Sequence, residues 1–137
     1  MNAVKELINT IKSVLENTPY QYKQSPCIFD FEKVPRSKTS AYRIEINKDE
    51  KLRELSGGMI EKEAGTSIWL LKKIKLANRQ EQYIDYMTEG IEQLEKQIYQ
   101  VLKGQQIEID NIESLDLYDE YIVVKMSLKF LYQKQVV

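Results

Sequence analysis

The stretch YIVVKMSLKFLY, residues 121–132, sets Ile122, Val124, Met126, Leu128, Phe130 and Tyr132 at every second position, with Lys125, Ser127 and Lys129 between them. Side chains of an extended chain point to alternate faces, so this spacing predicts a strand with one face in a core and the other towards water. A strand of that kind needs neighbours in a sheet and something apolar to lie against, and the rest of the chain has to supply both.

The first 16 residues supply a helix: Val4, Leu7, Ile8, Ile11, Val14 and Leu15 recur at threes and fours and form one apolar stripe. Pro19 ends it and disfavours helix at Thr18. CIFDFEKV, residues 27–34, places Cys27, Phe29 and Phe31 on one face and predicts a strand closed by Pro35. SAYRIEIN repeats the pattern with Tyr42, Ile44 and Ile46 inward. TSIWLLKKIKLANR predicts a third strand with Ile68, Leu70, Ile74 and Leu76 on one side. Lys72 interrupts that side, as expected where a strand bends or runs past the core. A second, longer helix is predicted over about 80–102, its buried stripe marked by Tyr83, Met87, Ile91, Leu94, Ile98 and Leu102, with Gly104 as its C-cap. Gly90, inside it, reads as close packing of the helix on the sheet. QIEIDNIESLDL alternates less cleanly, and Asn111 marks a break or bulge before the final strand. The order α-β-β-β-α-β-β, joined by hairpins, predicts one α+β domain over residues 1–137, an antiparallel or mixed sheet packed by two helices.

Residues 47–65, NKDEKLRELSGGMIEKEAG, carry nine charged side chains and a Gly-Gly pair between two predicted strands. Connections in compact domains are mostly about 4–6 residues long, so a longer one is functional or disordered. The reading is a mobile polar loop, and its candidate roles are a catalytic lid, a disordered insertion or an arm that reaches a partner.

Composition narrows the chemistry. The chain has no histidine and one cysteine, Cys27, with 20 basic and 21 acidic residues. Zinc and most transition-metal sites draw on Cys and His clusters, and nucleophilic triads need a histidine base. One thiol forms no internal disulfide, and its alternation with Phe29 and Phe31 reads as a small buried apolar group. The near-balance of charge speaks against bulk binding to nucleic acid or membrane. Lys5, Glu6, Lys12 and Glu16 break the apolar run a signal peptide would need, and no segment reaches the roughly 18 apolar residues of a spanning helix. A cytoplasmic protein is expected, with no membrane partner, no specific nucleic acid and no cofactor.

Glu81, Asp85, Glu89 and Glu92 share a helix face, which reads first as a solvated surface and only second as a metal or acid–base site. Asp49–Lys51 resembles the acid-x-Lys end of a nuclease motif, but it falls in a polar loop rather than on a core strand. Gly57-Gly58 lacks the context of a phosphate loop. The chain is therefore not expected to be an enzyme.

In element order and length, and most of all in the closing EYIVVKMSLKFLYQ, the chain resembles the tail terminator (tail completion) proteins of long-tailed bacteriophages and defective prophages. The resemblance implies a hexameric homo-oligomeric ring on the head-proximal end of the tail tube, which stops tube polymerisation and offers a surface for head joining. Its implied partners are itself, the tail tube protein and a head-completion or connector protein, and its implied location is the host cytoplasm during assembly and then the particle's tail. A head–tail connector or neck protein, a small nucleic-acid-binding or regulatory domain, and a metal nuclease built on the carboxylates are the rival readings.

Two expectations follow for such a ring. Subunits are expected to meet through opposite charges, with Glu81, Asp85, Glu89 and Glu92 of one copy against Lys72, Lys73, Lys75 and Arg79 of the next. The 47–65 segment is expected to be an assembly arm reaching roughly 30 Å. Leu52, Leu55, Met59 and Ile60 would anchor it, KDEKLREL would form a short helical turn, and Gly57-Gly58 would be its hinge.

Overall fold

Asn2 opens helix α1, Ala3–Glu16, by accepting the Lys5 amide on Oδ1 at 3.0 Å, the bond expected of an N-cap. The stripe read from the sequence is the buried one, with Val4, Leu7, Ile11 and Leu15 in the core. The computed structural model describes residues 2–25, 40–75, 77–118 and 121–137. The predicted strand at 27–34 lies outside them, as does Leu76.

After α1 come a two-residue strand β1, Lys23–Gln24, then β2, Ser40–Glu54, and β3, Met59–Lys73. A helix in three runs follows: α2 at Arg79–Asp85, a π-helical turn at Tyr86–Gly90 and α3 at Ile91–Val101. Strands β4, Gln106–Tyr118, and β5, Tyr121–Gln135, close the fold. The protein is α+β, and its described residues form a five-stranded mixed sheet ordered β1-β2-β3-β5-β4. All described pairings are antiparallel except β1 with β2.

Both helices cover one face. Tyr42, Ala64, Thr66, Ile68, Leu70, Ile122, Val124, Met126, Leu128 and Phe130 are buried on it, most of them against Leu7, Ile11, Leu15, Leu94 and Ile98. Ala41, Leu71 and Val123 form a smaller cluster on the other face, flanked by Trp69 and Tyr121. In β4 the register slips between Ile109 and Asn111, leaving Asp110 as the extra residue of a bulge. That bulge lets both Ile109 and Ile112 pack against the helix-side core, which plain alternation forbids.

The second helix corrects its predicted stripe in one respect. Tyr86 is 3% exposed, whereas Tyr83 and Met87 are only partly buried. The π turn is the reason: the Ile91 amide reaches back five residues to the Tyr86 carbonyl, and the extra residue rotates the helix so that Tyr86 and Gly90 face inward.

The larger correction concerns residues 47–65. They are not a loop. β2 and β3 pair from Ser40↔Lys72 out to Glu54↔Ile60, and β3 pairs along its whole length with β5, from Lys73↔Tyr121 to Met59↔Gln135. KDEKLREL is strand up to Glu54 rather than helical turn, and Gly57 and Gly58, at φ +75° and +76°, form the reversal of a hairpin rather than a hinge. A central strand already bonded to β5 on one side offers β2 a complete ladder on the other, and that template outweighs the polar side chains.

Candidate assembly surface

Length alone forces part of the sheet into the open. Strands β2, β3 and β5 have 15 residues each, about 50 Å at 3.3 Å per residue. Helix α1, with 14 residues, spans only about 21 Å, and residues 79–101 about 35 Å. On the helix side the buried residues stop at Ala64 in β3 and Phe130 in β5, and every β2 residue from Ile46 to Glu54 is exposed. Beyond that line the three strands continue as a tongue.

The tongue's charges are paired across its strands. Lys62 Nζ lies 3.0 Å from Asp49 Oδ2, Lys48 Nζ 3.4 Å from Glu63 Oε1, and Arg53 Nε 3.3 Å from Glu61 Oε1. Arg53 and Glu61 are directly opposite, whereas Glu50↔Glu63 and Lys51↔Lys62 place like charges opposite each other, so Lys62–Asp49 and Lys48–Glu63 pair diagonally. Exposed pairs of this kind contribute about 0–1 kcal/mol each, enough to bias register but too little to hold the tongue together.

One group is tied more firmly. Tyr132 donates to Asp49 Oδ1 at 2.6 Å, and its ring stacks on Phe130 at 5.3 Å, so β5 and β2 are bridged over β3. Burial alone would raise the Asp49 carboxyl. The Tyr132 hydroxyl, then Lys62 and the charge of Lys134, outweigh it and hold the carboxyl below its usual value. The tip is fastened as well: Val136 N donates to Gly58 O at 2.9 Å, and Gln135 Nε2 to Gly57 O at 3.0 Å.

At the other end of the sheet lies a cluster of tyrosines. Tyr22 and Tyr86 share a buried hydroxyl–hydroxyl hydrogen bond, and Tyr20 meets both rings edge-on at 5.8 and 5.4 Å. Burial raises all three phenols. Lys72 ends the core face here, its amine 5.2 Å from the Tyr20 ring centre and 2.8 Å from the Lys73 carbonyl oxygen, and desolvation lowers its pKa. Lys72 is thus engaged within its own subunit. Gln82 clamps the turn between β3 and α2, accepting the Lys75 amide and donating to the carbonyls of Lys75 and Ala77.

Glu81, Asp85, Glu89 and Glu92 are all exposed on the second helix, and Glu92 pairs with Lys96 at 3.1 Å. Lys73, Lys75 and Arg79 sit at the same end of the molecule as these acids. Of the proposed arm residues, Leu52 is 44% exposed at a β2 bulge, Leu55 flanks the turn, and Met59 and Ile60 are partly buried in β3. Sequence reasoning missed Tyr132–Asp49, since nothing in spacing joins positions 83 residues apart.

Among the described residues, no group of three or more Cys, Asp or Glu side chains is placed to hold a metal ion, and no helix is long and apolar enough to cross a membrane. Fold and surface define an α+β protein whose sheet overhangs its helices. Set against models of known protein families and against curated proteins, the chain matches none.

Proposed function

We propose that this protein is a structural assembly subunit of the tail-terminator kind, which forms a ring on a tail tube, stops its polymerisation and presents a surface for head joining. The observation that carries the reading is the tongue. A chain of 137 residues extends three paired strands well beyond its core, and fastens the tip with hydrogen bonds instead of leaving it to fray. A stiff projecting sheet suits contact with neighbouring subunits or a tube wall, because little conformational entropy is lost when it docks. Paired charges along it make phosphate attraction a poor account of its purpose.

The direct experiment adds the purified protein to polymerising tail-tube protein and measures tube length by electron microscopy. Shorter tubes carrying a ring at one end are expected. Tubes of unchanged length and bare ends would overturn the reading, and a ring that binds only a portal would move the protein to the connector class.

A further inference from the structure

Between α1 and the overhanging tongue runs a groove lined by Lys5, Ile8, Lys12, Ile46, Asp49 and Lys134. Its one carboxylate among these, Asp49, is already occupied by Lys62 and Tyr132, so Lys5, Lys12 and Lys134 leave the groove positive. Ile46 stands 54% exposed within it. At the far end of the sheet, α2 carries the opposite pattern. Glu81, Ile84 and Asp85 share one helix face, and Ile84 is 48% exposed between the acids.

We infer that the groove receives α2 of a second copy of this chain, Glu81 and Asp85 meeting Lys5, Lys12 and Lys134 while Ile84 covers Ile46. The inference rests on the assembly reading and names its interface. Charge complementarity selects the occupant, and one exposed isoleucine on each side supplies the apolar centre that such a patch otherwise lacks. The two surfaces lie at opposite ends of the sheet, about 33 Å apart along β3 between Lys62 and Lys72 at 3.3 Å per residue. A contact between two different patches at opposite ends is heterologous, the kind that closes into rings. This pairing replaces the one read from the sequence, in which the basic partner was the end of β3. That patch lies beside the acidic helix of its own subunit, and Lys72 is spent on Tyr20.

Two charge-reversed proteins test it, one with Lys5→Glu, Lys12→Glu and Lys134→Glu, the other with Glu81→Lys and Asp85→Lys. Each alone should raise the apparent dissociation constant for self-assembly by about tenfold or more. Mixed together they should assemble again, because each retains the surface that the other needs. Wild-type assembly should also weaken between about 0.1 and 1 M salt, as the screening length falls from about 10 to 3 Å, a reading that needs no variant to fold. If the wild type assembles and both reversed proteins do so equally well, the interface is elsewhere, although the assembly reading stands. If the wild type never assembles, the assembly reading itself fails and takes this inference with it.

Discussion

A methyl group added at position 90 would sit 2.6 Å from the Tyr20 hydroxyl oxygen and 3.1 Å from Tyr86 Cδ1. Glycine in mid-helix ordinarily costs about 1 kcal/mol against alanine. Here Gly90→Ala should be destabilising instead, by about 1–3 kcal/mol, because Tyr20 must leave its two ring contacts. Combining it with Tyr20→Ala should remove most of that penalty in a denaturant-melt cycle; full additivity would mean the clash is not the cause. The sequence pointed to close packing of Gly90 on the sheet, whereas its near neighbours are Tyr20 and Tyr86. Tyr20 comes from the turn after α1, and no periodicity records where a turn folds back. The Tyr22–Tyr86 pair gives a second cycle. Tyr86→Phe strands a buried hydroxyl and should cost about 1–3 kcal/mol, while removing both hydroxyls should cost less than the sum of the single changes.

Among the elements, α1 and β5 were legible because each buries one clean periodic face, and Asn111 flagged the β4 bulge correctly. The hairpin was not legible. From Asn47 to Glu54 the side chains alternate neither with period two nor with helical period, because bulges at Asn47 and Leu52 break the phase and the cross-strand partners are ions. The same bulges and charges blunt β2 as an edge, since among the described residues β1 pairs with it only at Ala41 and Tyr42. The tongue's stability should follow Asp49. A carboxyl depressed in the folded state contributes stability that is present above its unfolded pKa and lost as pH falls through its folded one. Tyr132→Phe should therefore destabilise at neutral pH, and its gap to wild type should stay level to about pH 5 and narrow below about pH 4. A gap independent of pH would show that the hydroxyl matters by packing alone. Replacing residues 48–63 with a short Gly-Ser turn should leave a folded protein, because the buried core ends at Ala64 and Phe130. Loss of cooperative melting in that variant would show that the tongue supports the core.

For the whole molecule, the mismatch of lengths is the organising fact: strands of about 50 Å lie under helices of about 21 and 35 Å. The α+β class and the helix-covered face were readable from pattern, which left the sheet either antiparallel or mixed. The overhang was not, because it depends on how far strands pair beyond their apolar residues. The groove went unread for a related reason: Lys5 and Lys12 were weighed only as interruptions of an apolar run, and they meet Lys134 only once the tongue is in place. On the proposed reading, the positive groove at one end and the acidic helix at the other would let copies of the subunit meet in sequence around a ring. The most direct measurement is the native mass of the purified chain by light scattering across a wide concentration range. The account predicts a discrete closed multiple of 16.2 kDa that falls apart as salt is raised. A mass of one subunit at every concentration would contradict it.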